Sequence, residues 1–252
     1  MDILFIIVYA LLGLSVGSFL NLCSDRLPED QSIVHPSSHC PICGNAVAAV
    51  DLVPFFNYLW LRGRCRYCRT HIPLRSPIVE LTTGVIFAFL YWQYHESNIE
   101  LAFALIYASL LIVIFITDFE QQLILDKVTY PGMVIMFVFS FFRAGIDPME
   151  ALLGGATGFG IMFFLYLLFR GGLGFGDVKL MGLVGFTAGF PHVLLALMLG
   201  MVAGGVGAVF LLVFANKEGK DVIPYGPFLV FGAFLTLIWA EPIWDWYVGL
   251  LS

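Results

Sequence analysis

Two aspartates set in apolar surroundings are the residues best placed for chemistry. Asp118 closes the run Phe115-Ile116-Thr117, and Asp177 follows Gly171-Gly172-Leu173-Gly174-Phe175-Gly176 and precedes Val178-Lys179. A carboxylate at membrane depth is costly and is a functional candidate on that ground. Two facing carboxylates make a peptidase without metal, because close like charges cannot both ionise and one keeps its proton. The ionised member draws a proton from the attacking water, while the protonated one polarises the scissile carbonyl and helps protonate the leaving amine. Such a pair titrates as a unit, so acid and base are not assigned separately. The bland alternative for each aspartate is a helix cap or a side chain snorkelling to water. For Asp126, ahead of Lys127-Val128-Thr129, the N-cap and functional readings weigh evenly.

The glycines before Asp177 allow unusual backbone angles and close approach of an extended substrate. They also weaken helix, which predicts that Asp177 sits on a mobile segment. A nucleotide loop is excluded, since no strand precedes the stretch and Lys179 lacks the P-loop spacing.

The second constellation is Cys40-Pro41-Ile42-Cys43 and Cys65-Arg66-Tyr67-Cys68, with 21 residues between the pairs. Two CxxC knuckles at this spacing predict a zinc site with Cys40, Cys43, Cys65 and Cys68 as ligands. Gly44 permits the tight turn after the first knuckle. Four thiolates fill a tetrahedron and leave no position for water or substrate, so the zinc is structural and a metalloprotease is not expected. The metal supplies folding energy that a small polar loop cannot draw from a core. His35, His39 and His71 flank the knuckles as alternative ligands, and Cys23 reads as a packing residue. Paired disulfides are the competing reading, disfavoured in a reducing cytosol.

The elements that must position these groups follow from composition. Of 252 residues, 60% are hydrophobic and only 12% charged, about half the charge of a soluble domain. The class is an all-α polytopic membrane protein with about eight transmembrane helices, near 3–22, 77–94, 99–117, 128–144, 150–169, 178–190, 192–214 and 223–240. The sixth is short, ended by Gly189-Phe190-Pro191. Ser76-Pro77 and Asp147-Pro148 look like helix starts. Three parts are expected: a first transmembrane helix over 1–22, a cytoplasmic zinc-binding loop domain over 23–76, and a transmembrane aspartic peptidase domain over 77–252. No internal repeat is apparent.

Eleven of the twelve Lys and Arg residues fall on one side of this arrangement, with Arg143 the exception. That side is then cytoplasmic, and both termini are periplasmic. Asp2 ahead of the first apolar run and Arg26 after it predict a retained helix rather than a cleaved signal. Trp92, Trp239, Trp244 and Trp246 fall at outer interfaces, with 241–247 expected along the surface. Gly154-xxx-Gly158 and Gly200-xxx-Gly204 read as helix-packing devices. The net charge of −6 says nothing about nucleic acid, but no basic block or basic helical stripe is present to bind its phosphates, so nucleic acid is not expected as a partner.

The order of motifs resembles the bifunctional type IV prepilin peptidases, nearly end to end. It includes Gly17-Ser18-Phe19-Leu20-Asn21 with Arg26-Leu27-Pro28, the double CxxC, Tyr58 through Arg66, and Arg75-Ser76-Pro77-Ile78-Val79-Glu80-Leu81. The Asp118–Asp126 stretch, the GxGD-type Gly174–Asp177 and Ile223-Pro224-Tyr225-Gly226-Pro227-Phe228 complete it. The resemblance implies an inner-membrane enzyme of pilus and type II secretion systems, acting on prepilins or pseudopilins. It implies cleavage of a basic leader after a glycine by Asp118 and Asp177, then N-methylation of the new terminus with S-adenosylmethionine. Glu80 is a candidate for the methyl-transfer half by resemblance only. Leu125, where proline is usual, and the polar Leu22-Cys23-Ser24-Asp25 are departures. The alternatives are a leader peptidase without methyltransferase activity, like the archaeal preflagellin enzymes, and a transporter or assembly factor with a zinc ribbon.

Overall fold

Long apolar runs leave the backbone no polar partner but itself, and in lipid that selects helix. The computed structural model describes residues 3–48, 53–169, 173–214 and 224–251. Among them the chain forms nine helices: α1 (Ile3–Arg26), α2 (Phe56–Trp60), α3 (Arg75–Tyr94), α4 (Asn98–Gln121), α5 (Asp126–Phe139), α6 (Pro148–Leu168), α7 (Phe175–Ala188), α8 (His192–Phe214) and α9 (Gly226–Leu251). Asp2, Arg170, Gly171, Gly172, Lys217, Lys220 and Ile223, which enter the motif and charge readings, lie outside the described residues.

The all-α class holds, and eight of the helices occupy the expected spans. Five of them, α1, α4, α6, α8 and α9, are long and apolar enough to cross a membrane. The count of eight full crossings is not met on that measure. α3 has 20 residues but carries Arg75 and Glu80 in its first two turns. α5 and α7 have 14 residues each, a rise of about 21 Å against a hydrocarbon core of about 30 Å.

The chain forms two compact units, Met1–Val113 and Ile114–Ser252. In the first, α1 packs along α3. Small residues make the approach close: a Cβ on Gly13 would lie 2.6 Å from the Thr83 carbonyl, and one on Gly17 2.8 Å from Glu80 Cα. The end of α1 is tied to the start of α3 by Arg75, which donates to the Asn21 carbonyl and Ser24 Oγ and pairs with Asp25 at 2.8 Å. Asn21 Nδ2 donates to the Ser76 carbonyl. Ser76 is therefore not the cap expected of it; α3 begins two residues earlier, at Arg75 after Leu74, with no side-chain cap.

In the second unit α7 is central, packed on α5, α6, α8 and α9. Its residues Val178, Leu180, Met181, Leu183 and Val184 are fully buried, as expected of a helix apolar all round. Gly154 of α6 meets Gly185 and Gly189, and Gly200 of α8 meets Leu229 of α9, so the paired glycines serve packing. Asp147 caps α6 with Pro148 next, and its amide donates to Glu150 Oε2 at 3.2 Å. α9 bends at Trp239 and continues as helix past Pro242, so residues 241–247 extend α9 beyond a kink.

Candidate active site and metal centre

Asp118 stands in the last turn of α4, which runs on to Gln121. Asp177 lies in the first turn of α7. Gly174 is the N-cap, and its amide donates to Asp177 Oδ2 at 3.2 Å. The carboxylate thus satisfies one of the orphan amides that every helix start leaves. This moves the helix start from the expected residue 178 to Phe175: the glycines end at a helix start that the aspartate itself helps to close. Gly176 is required there by space, since a Cβ would meet Ile124 at 2.9 Å.

Both carboxylates are buried, Asp118 at 6% exposure and Asp177 at 7%. They line one cavity of about 420 Å³, together with Gln122, Ile124, Gly176 and Lys179, and are close enough to act on each other electrostatically. Asp118 Oδ2 is buried without a partner in hydrogen-bonding geometry, although the Gly226 amide is near enough to act on that carboxylate. The backbone of Gly226 abuts it: a Cβ there would lie 2.5 Å from Oδ2. Tyr225, the preceding residue, feels the charge of Asp177. Sequence reasoning quoted Tyr225 and Gly226 in a motif but gave them no place at the aspartates. Their signal, a Pro-Tyr-Gly-Pro turn, does not say what it packs against.

Asp126 is not the N-cap of α5. Leu125 holds that position with extended backbone, and Asp126 is the first helical residue. Its exposed carboxylate pairs with Lys179. The ammonium lies 5.0 Å from the Phe175 ring centroid and 5.5 Å from that of Tyr130, a cation held by one charge and two aromatic faces. Asp126 and Lys179 both line the cavity of Asp118 and Asp177.

In the first unit the sulfurs of Cys40, Cys43, Cys65 and Cys68 all lie within 4.8 Å of one another. Each knuckle is the same turn. Gly44 and Arg69 donate back to the Cys40 and Cys65 carbonyls, and Cys40 and Cys65 donate to the Asn45 and Thr70 carbonyls. Gly44 and Arg69 both take positive φ, 68° and 60°. The bridges His39↔Ala46 and Arg64↔His71 close the two turns alike. The second knuckle thus repeats the first, an internal repeat the sequence reading missed because only the cysteines are shared in type. The histidines do not join the cluster.

The donor set fits a tetrahedral metal. Metal–sulfur bonds of about 2.3 Å place sulfurs about 3.8 Å apart, and Cys40 and Cys68 stand at 3.7 Å. The Thr70 hydroxyl and amide draw the Cys68 thiol down to about 6. The Asn45 amide acts in the same sense on Cys43, but desolvation and the other thiols prevail and push it up to about 11. The cluster cannot hold four negative charges unaided, and a cation would relieve that.

Glu80 is buried in α3 and does not face the cysteines. Its Oε2 accepts the Phe55 amide at 2.7 Å, and Ser18 hydrogen-bonds to the same carboxylate.

Comparison with known proteins matches this site to a family. The model for the "Type IV leader peptidase family" covers residues 105–215, and that for the "Bacterial Peptidase A24 N-terminal domain" covers residues 11–94. The chain belongs to the type IV leader peptidase family. A "Prepilin leader peptidase/N-methyltransferase" of Pseudomonas putida is 30% identical over 98% of this chain and 95% of its own length. Proteins of the same name from Bacillus subtilis (strain 168) and Myxococcus xanthus (strain DK1622) are 29% and 35% identical, over 94% and 86% of this chain and 96% and 66% of their own lengths. No solved structure matches the chain.

Proposed function

We propose that this protein cleaves the leader of type IV prepilins or pseudopilins and methylates the new N-terminus. The observation that supports this most is the meeting of two buried aspartates from separate helices at one cavity in a chain of this family. Asp118 and Asp177 share a proton and activate water against the scissile carbonyl. Gly174 and Gly176 present backbone to the cavity, which suits an extended peptide. The protein is a multi-pass protein of the bacterial inner membrane. The dyad and the cysteine loop lie on its cytoplasmic face, and both termini are periplasmic, by the distribution of Lys and Arg.

The four cysteines hold zinc in a structural role, leaving the peptidase chemistry to the aspartates. S-adenosylmethionine is the methyl donor by the double name of the relatives. The cavity beside the cysteines does not fit it. That space of about 240 Å³ has Arg66 in its wall and no carboxylate to set against a sulfonium, so no step is derived through the donor there.

The test is intact-mass measurement of a prepilin incubated with the protein in lipid, with and without S-adenosylmethionine. Asp118→Asn and Asp177→Asn are each expected to abolish leader removal while the protein elutes as a folded species. Normal cleavage by either variant rejects the dyad. Cleavage without a gain in mass from the donor leaves a leader peptidase alone.

A further inference from the structure

We propose that α2 and the arginine-bearing turn after it form a binding site for anionic lipid headgroups of the membrane in which the protein sits. Three observations in the first unit point to it. The first is depth. α1 is long and apolar enough to cross a membrane, and its last turn is tied to the start of α3 through Arg75, Asn21, Ser24 and Asp25. That junction marks the membrane boundary. The Phe55 amide, immediately before α2, donates to Glu80 Oε2, and Glu80 is the sixth residue of α3. α2 is thereby held at the level of the boundary rather than out in water.

The second observation is exposure. Phe56, Leu59 and Trp60 are 53%, 58% and 85% exposed. An indole at the boundary prefers the headgroup layer, with its ring among acyl carbons and its N–H wet. Among the described residues of its unit, Trp60 in its five-residue helix is left largely uncovered.

The third observation is charge. Between residues 52 and 79 the chain has five arginines and neither aspartate nor glutamate, although the whole protein carries a net charge of −6. Arg62, Arg64 and Arg69 are exposed on the segment that leaves α2. They alternate with other residues, which is why no basic block is seen in the sequence. An apolar foot followed in the chain by exposed guanidinium groups is the recipe for a surface that holds phosphate diesters.

The test uses the full-length, metal-loaded protein in nanodiscs of phosphatidylcholine containing about a third phosphatidylglycerol. Trp60 is isolated as the difference in emission between the protein and Trp60→Phe, or Trp60→Tyr should Phe disturb folding. The expected result is a blue-shifted difference spectrum that loses about half its intensity when the phosphatidylglycerol chains are brominated near the glycerol. The triple variant Arg62→Gln/Arg64→Gln/Arg69→Gln is expected to reduce that quenching at least about twofold, as is replacing phosphatidylglycerol by phosphatidylcholine. A water-like Trp60 quenched by iodide and not by bromolipid overturns the proposal. So does bromolipid quenching indifferent to headgroup charge and to the arginines. A Trp60 exposed to iodide until prepilin is added would make this face a peptide-docking surface, and would also overturn it.

Discussion

Gly226 stands against Asp118 so closely that a single added methyl group would lie 2.5 Å from the carboxylate Oδ2 and 2.8 Å from Cγ. Backbone of α9 and carboxylate of α4 occupy adjoining space, and neither can move without the other. Gly226→Ala must push Asp118 aside. Since misplacing a catalytic group by about 1 Å costs about 10²-fold in rate, the expected outcome is a loss of leader cleavage of that order. The substituted residue carries no functional group, so the loss reports position alone. Helix content and elution volume are expected to stay unchanged, and full cleavage by Gly226→Ala would separate Asp118 from the reaction.

Metal uptake by the cysteines should depend on pH in a definite sense. Cys68, drawn down to about 6, is a thiolate at neutral pH, whereas Cys43, pushed up to about 11, is a neutral thiol. A metal ion must displace the Cys43 proton, so binding releases protons and strengthens as pH rises. Affinity is expected to fall about tenfold per pH unit for each proton released, and more steeply once pH drops through the range where Cys68 protonates. Titration with zinc in two buffers of different ionisation enthalpy checks the proton count. Cys43→Ser should lower metal content and, on the proposed structural role of the metal, leave leader cleavage in place.

The helices were legible in sequence because apolar runs broken by proline and glycine admit little else. Asp118 and Asp177 stood out as candidates because a charge at membrane depth is costly, and both prove buried at one cavity. Three features were not. The start of α7 was misjudged because four glycines argue against helix, while the bond from the Gly174 amide to Asp177 Oδ2 that favours it is invisible to composition. The contact of Gly226 with Asp118 joins residues far apart in the chain, and only packing reveals it. The repeat of the two knuckles rests on backbone bonds and on positive φ at Gly44 and Arg69, which a Gly and an Arg at equivalent places conceal.

Lys179 sits two residues after Asp177 and lines the same cavity, yet its ammonium is held by Asp126 and two rings. An ammonium released toward the aspartates would compete for the carboxylate that activates water. Asp126→Asn is therefore expected to slow leader cleavage about tenfold, by analogy with misplaced charge at other acid–base sites. The double variant Asp126→Asn/Lys179→Met should recover much of that loss, since it removes the displaced cation as well. Non-additivity of this sign distinguishes positioning from simple destabilisation. The folding contribution of the pair itself is small, about 0–1 kcal/mol, because Asp126 is exposed.

The junction of α1 and α3 should be intolerant of volume. Gly13 and Gly17 bring the two backbones together, and a Cβ on Gly13 would meet the Thr83 carbonyl at 2.6 Å, Gly84 Cα at 2.8 Å and Phe87 Cβ at 2.8 Å. Two of these three atoms are backbone and cannot rotate away, so Gly13→Ala forces the helices apart at a cost of about 1–3 kcal/mol. Because the polar ties at Arg75 depend on that approach, the loss should extend to the hydrogen bond from Phe55 to Glu80. Thermal unfolding in lipid is expected to shift downward for Gly13→Ala, and protease cleavage within the cysteine loop to accelerate. Gly160, whose added Cβ would meet no atom within 4 Å, is the control: Gly160→Ala should leave both measurements unchanged. A Gly13→Ala variant as stable as the parent would show that the two helices are not held at backbone contact.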